Sequence, residues 1–178
     1  MILVDELGNK IYSSIHYSLI PKFGHLLEEG AFRLISNFEV KSTDTTFLLA
    51  KHACKINFLK ETSVSTSNAF EINGDLFDFC PFEKINNSTV DKKASFDVIG
   101  QVIESKPIRI TESRNVKKHI LEFQLCDDKG TIVSCALWDD YAHQFHQYIS
   151  TNGNIVEPVI ILLQLAKYNF WNSKFLNF

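Results

Sequence analysis

The sequence predicts an all-β fold with short helices, built as two tandem copies of one small barrel, and three observations predict it. Short apolar runs alternate with turns rich in Gly, Asn and Asp along most of the 178 residues. Phe is abundant, at 15 residues, as expected where each core is small and needs bulky side chains to fill it. The chain also matches itself when laid over so that Leu3 meets Leu125. Asp5 then meets Asp127, Gly8 meets Gly130, Ile11 meets Val133, Ile15 meets Leu137, Phe23 meets Phe145 and Leu27 meets Ile149. A glycine turn, two alternating strands and an amphipathic helix recurring in register are most economically two copies of one fold.

In the first copy, Asp5 to Gly8 separates Ile2-Leu3-Val4 from Lys10 to His16, which reads as a hairpin with Gly8 in the left-handed conformation. Pro21 opens a helix from Pro21 to Glu29 with Phe23, Leu26 and Leu27 on one face, and Gly30 ends it. Strand-like runs follow at Ala31 to Val40, Thr46 to Ala50 and Cys54 to Leu59. From Glu61 to Ala94 polar residues dominate and periodicity fades, except in Phe77-Asp78-Phe79-Cys80-Pro81-Phe82, which is apolar enough to dock.

In the second copy, Phe96 to Glu104, His119 to Cys126 and Thr131 to Trp138 read as strands, the last two joined by an Asp127 to Gly130 turn. Asp139 to Ile149 reads as a helix with Asp139 or Asp140 as N-cap and Ala142, Phe145 and Ile149 on one face. Val159 to Lys167 is a buried strand, Asn172-Ser173 a turn, and Phe175 to Phe178 the beginning of another strand.

Composition excludes several classes. The formal net charge is -3, which argues against nonspecific duplex binding through clustered Lys and Arg. Single-strand binding survives that objection, because base stacking on aromatic rings shares the energy. Cys54, Cys80, Cys126 and Cys135 form no CxxC pair, so a zinc ribbon has no ligand set, and isolated cysteines suit a reducing compartment. The first residues, MILVDELGNK, lack the basic start and apolar run of a signal peptide. No apolar stretch approaches the roughly 18 residues of a membrane span. Asp5, Asp127 and Asp128 sit in turns, and Asp139 and Asp140 at a helix start, so structural roles account for these acids.

Strand, strand, helix, strand, strand is the order of the OB-fold, a five-stranded barrel with its helix between the third and fourth strands. The first barrel, residues 1–64, starts at its second strand. Residues 65–95 form a linker with a docking segment. The second barrel, residues 96–178, is cut short at its last strand. Each barrel is therefore expected to lack part of a wall, which exposes edges.

These stretches resemble a known family. MILVDELGNKI, LIPKFGHLLEEG, INFLKETSV, FDFCPFEKI, FDVIGQV and the run from Leu125 through CDDKGTIVSCALWDDYA to Phe145 fall in the order and spacing of the large DNA-binding subunit of replication protein A, in its plant-type form. The resemblance is to its second and third OB domains, the tandem domains A and B, and covers nearly the whole chain. It implies largely sequence-tolerant binding of single-stranded DNA in replication, repair and recombination. It also implies a nuclear location and a heterotrimer with two smaller subunits. From the residues themselves, no cofactor is expected. The family's N-terminal protein-docking barrel and zinc-ribbon trimerisation domain have no counterpart in this sequence.

The family stacks bases on two aromatics per barrel, one ending the third strand and one in the hairpin after the fourth. In the second barrel these positions fall on Trp138 and Trp171. Val133, Cys135 and Leu137 alternate inward on their strand, which turns Trp138 outward; Tyr168, Phe170 and Trp171 cluster at an expected loop. In the first barrel the repeat puts His16 opposite Trp138, and Phe47 takes the second position. Lys41 matches a basic position beside the groove. Arg109, Arg114, Lys117 and Lys118 gather in the expected loop between the second barrel's first two strands, where a basic loop can wrap phosphates. A competing reading is an OB module that docks protein, its DNA binding weakened or lost. An enzyme is disfavoured, since no phosphate-cradling Gly loop, zinc set or nucleophile–base pair is evident.

Overall fold

The computed structural model describes residues 1–43, 47–67, 76–113, 115–152, 158–171 and 173–177. The chain divides into two compact units, Met1–Leu76 and Phe77–Phe178.

The first unit opens with the expected hairpin: β1 (Ile2–Val4) pairs antiparallel with β2 (Lys10–Ser14), Val4 facing Lys10. Its turn is held by Asp5, whose Oδ1 accepts the N–H groups of Leu7 and Asn9 at 3.0 and 2.8 Å, and Gly8 takes φ +83°. The helical stretch is broken: a 3-10 turn (Tyr17–Leu19), α1 (Ile20–Phe23) and a second 3-10 turn (Gly24–Leu26) replace the one helix expected over Pro21 to Glu29. It still delivers Phe23 to the core, edge-on to Phe58 at 5.1 Å, with Ile56 beside them.

Ala31 to Val40 is not one strand. Asn37, at φ +58°, divides it into β3 (Arg33–Ser36) and β4 (Glu39–Ser42), since a left-handed residue cannot continue an extended ladder. Residues 47–50, expected in a strand, form bends at Phe47, Leu49 and Ala50 around a single bridge residue, Leu48. β5 (Cys54–Asn57) runs parallel to β2 and antiparallel to β4, and the sheet order is β1-β2-β5-β4. β6 (Ser63–Thr66) pairs separately with β3. The four-stranded sheet is open, with β1 and β4 at its edges.

In the second unit the apolar segment packs as expected, but residues 77–95 belong to this unit rather than to a linker. Phe82 and Ile85 of α2 (Phe82–Asn86) are buried in its core. β7 (Phe96–Ser105), β9 (Val116–Cys126), β10 (Ile132–Trp138), β11 (Ile160–Trp171) and β12 (Ser173–Asn177) pair in the sequence β7–β9–β10–β12–β11 and back to β7. The β10–β12 contact is parallel and short, Ser134 to Ala136 facing Phe175 to Asn177. The final strand is thus five residues long and paired on both sides, more than the bare beginning read from Phe175 to Phe178. α3 (Asp139–Asn152) lies between β10 and β11 in the chain. Strand order, the parallel pair and the helix position are those of the OB-fold.

The 127–130 turn repeats the backbone bonds of the first hairpin; among the described residues, only the bond from Asn9 Nδ2 to Asp5 Oδ2, at 2.8 Å, has no counterpart at Thr131. Asp127 Oδ1 accepts the N–H groups of Lys129 and Thr131 at 3.0 and 2.7 Å, and Gly130 takes φ +80°. The N–H of Asp5 donates to Asn9 O at 3.1 Å, as that of Asp127 does to Thr131 O at 3.0 Å.

Candidate nucleic-acid interface

In the second unit, β10 builds the site from the inside out. Val133, Cys135 and Leu137 alternate into the core with Phe123, Leu125 and Leu121. Burial pushes the Cys135 thiol well above its usual range, so it stays protonated and serves as packing. Trp138 ends the strand opposite Ile120 and is half-buried. Directly after it Asp139 takes φ +46°. Its Oδ1 accepts the N–H of His119 at 2.9 Å, so this carboxylate ties the helix start to β9. That bond fixes the backbone on which the indole is carried.

Trp171 lies at the C-terminal end of β11 and pairs with Ser173, the first residue of β12; its side chain, and Asn172 of the expected turn, lie outside the described residues. The expected loop carrying Tyr168, Phe170 and Trp171 is strand. Tyr168 is only 4 % exposed and its hydroxyl meets Ser88 Oγ at 2.9 Å, so this ring is core. An amphipathic ring on a strand gives no sequence signal of which way it faces unless the bulge in that strand is known. Here the register shifts between Leu163 and Ala166, which inverts the alternation.

The expected basic loop is a β-hairpin. β8 (Arg109–Ser113) pairs antiparallel with β9, Arg109 facing Ile120, Thr111 facing Lys118 and Glu112 facing Lys117. Lys117 and Lys118 are exposed; Arg114 lies outside the described residues. Arg109 is engaged: its Nη2 reaches Glu122 Oε1 at 2.5 Å, while Lys106 Nζ reaches Glu122 Oε2 at 3.2 Å. The Arg109 guanidinium foremost, then Lys106, holds the Glu122 carboxyl below the usual carboxylate range against the opposing effect of its partial burial.

In the first unit His16 is exposed and sits at the start of the 3-10 turn. Its Nδ1 accepts the N–H of Ser18 at 3.4 Å and lies 2.8 Å from Ser18 Oγ. Sequence reasoning missed its neighbour. Tyr17 is 77 % exposed, and its ring centroid lies 4.3 Å from that of His16 with the planes tilted by 42°. The available signal was an aromatic just past a strand end, one place from the residue opposite Trp138. Phe47 is half-buried among bends rather than on a strand. Lys41, on β4, is exposed and paired with Glu39 at 3.0 Å. Lys41 first, then Asn57, draws the Glu39 carboxyl below its usual range.

Among the described residues no group of three or more His, Cys, Asp or Glu is placed to hold a metal ion, and no helix is long and apolar enough to cross a membrane. Residues 1–88 match a family described as a domain of unknown function, DUF223. No curated protein matches. Among solved structures, a chain of a replication protein A heterotrimer bound to ssDNA is 20% identical over 99% of this chain, with a TM-score of 0.63. This chain spans 40% of that one. The second OB-fold domain of replication protein A from Methanococcus maripaludis aligns with 47% of this chain and 76% of its own, at 15% identity and a TM-score of 0.33. At such identities the first likeness shows the fold, in agreement with the strand order.

Proposed function

We propose that this chain is a non-enzymatic single-stranded DNA-binding protein that uses both of its OB units, in the manner of the large subunit of replication protein A. The observation that carries the reading is Trp138: a half-buried indole ending the third strand of an OB barrel, anchored by the Asp139–His119 bond one residue on. A base stacked on such a ring is worth roughly 1–3 kcal/mol. The fold likeness to a replication protein A chain supports the same reading. Roles in DNA replication, repair and recombination, a nuclear location and association with smaller replication protein A subunits follow as parts of the proposal.

The test is titration of the purified chain with fluorescent oligo-dT at low and high salt, with tryptophan fluorescence followed in parallel. Binding that weakens with salt, with quenching that diminishes in Trp138→Ala, is the expected result. No binding by the wild-type chain at low salt sinks the proposal.

A second reading, a protein-docking OB module, is favoured by one observation. Lys41, Lys106 and Arg109 are each paired with a glutamate, Glu39 or Glu122. Cations so neutralised hold phosphates less well. A chain that ignores oligo-dT even when Glu122 is replaced by Gln would leave this reading standing.

A further inference from the structure

We propose that Tyr17, rather than His16, is the side chain of the first unit on which an unpaired base stacks. This inference rests on the single-strand binding proposed above. The repeat lays His16 opposite Trp138, yet the imidazole there is already employed. Its Nδ1 caps the 3-10 turn through the Ser18 N–H and lies within hydrogen-bonding distance of the Ser18 hydroxyl. A ring held at one nitrogen for capping is poorly free to settle against a base. Tyr17 stands next to it with 77 % of its surface open, the most exposed large apolar side chain among the described residues.

The surroundings preorganise that ring. Tyr17 is the first residue of the capped turn, and its carbonyl accepts the N–H of Ile20. The His16 ring packs against it at 4.3 Å, which restricts its rotation from one side. Ordering a side chain at an interface costs less when packing has already restricted its rotamers. A large ring left in water is also unfavourable until something covers it. Its location just past the end of β2 corresponds to that of Trp138 at the end of β10, so one feature of the second unit is reproduced by a different residue one place further along the chain.

The full chain and its Tyr17→Ala, Tyr17→Phe and His16→Ala variants are titrated with fluorescent oligo-dT at low salt. Loss of one stacked base predicts that Tyr17→Ala weakens binding by about 5- to 150-fold. Tyr17→Phe keeps the wild-type affinity, and His16→Ala loses less than Tyr17→Ala. In a second measurement, oligonucleotides carrying 5-iododeoxyuridine are photocrosslinked to the wild-type chain and mapped by mass spectrometry, and an adduct on Tyr17 is expected. A wild-type chain that binds while Tyr17→Ala binds equally well, or adducts confined to other residues, overturns the inference alone. A wild-type chain that fails to bind oligo-dT removes both it and the reading beneath it.

Discussion

The carboxylate of Asp97 accepts the backbone N–H of Leu165 on Oδ1 at 2.9 Å, and on Oδ2 the N–H of Asp78 at 2.8 Å. Asp97 is 1 % exposed. Leu165 stands in the bulge of β11 at φ +60°, a conformation unfavourable for a residue with a side chain. One buried acid thus secures both the bulge that reverses the inward face of β11 and the segment leading into α2. Asp97→Ala leaves two N–H groups without this acceptor and is expected to cost about 2–4 kcal/mol. Asp97→Asn, which keeps one acceptor oxygen, costs less. Both tryptophans lie in this unit, so urea unfolding followed by tryptophan fluorescence reads the loss directly. Unchanged midpoints would show that the bulge stands without Asp97.

The matched turns make a second expectation. Asp127 holds its turn through the N–H groups of Lys129 and Thr131, and Gly130 sits at φ +80°. Asp127→Ala should destabilise the second unit by about 1 kcal/mol, and Gly130→Ala by a further ~1–2 kcal/mol. The same tryptophan signal measures both, and their combined effect should fall short of additivity because they share one turn.

Those turns were legible in the sequence because their chemistry is local: an Asp whose side chain reaches two and four residues ahead, and a Gly where φ must be positive. The alternation of Val133, Cys135 and Leu137 was legible for a similar reason. What escaped was set by contacts between segments distant in the chain. Asn37 splits an apparently continuous strand, and the burial of Tyr168 depends on a bulge stabilised by Asp97, far away in sequence. The basic segment from Arg109 to Lys118 reads as a loop by composition, yet it pairs as a hairpin. Glu122, which neutralises Lys106 and Arg109, is inconspicuous within an alternating strand until the register brings the three together. The two rings proposed to stack bases differ on the same terms. Trp138 follows from strand alternation, whereas Tyr17 is visible only once the cap made by His16 is known.

Gly100 offers a prediction about packing rather than backbone freedom. A Cβ there would stand 2.9 Å from the carbonyl oxygen of Cys126 and 3.0 Å from Phe82 Cζ. The carbonyl belongs to the neighbouring strand, so it can yield only by displacing the β7–β9 ladder. Gly100→Ala is expected to cost about 1–3 kcal/mol and to loosen α2, where Phe82 resides. Thermal unfolding gives the first quantity, and amide exchange at Phe82 to Asn86 the second. Wild-type stability with unaltered exchange would mean that the ladder accommodates the methyl group.

Glu122 supplies a prediction in which stability and binding move in opposite directions. Its carboxyl is held below the ordinary 4.5 chiefly by Arg109. A carboxyl whose pKa is depressed on folding stabilises the fold above its unfolded value, and that contribution disappears as pH falls through the depressed value. At pH 7 Glu122→Gln should therefore be less stable than wild type, by up to about 1 kcal/mol given that Arg109 and Lys106 are themselves largely exposed. The difference should close as the pH falls well below 4.5. The same substitution releases both cations, so oligo-dT affinity should rise, with a salt dependence steeper by about 0.7 in the log–log slope for each phosphate newly engaged. Melting curves at neutral and acid pH, with titrations at several salt concentrations, measure the two effects independently. Equal affinity and slope in the variant would mean that Lys106 and Arg109 serve the hairpin alone.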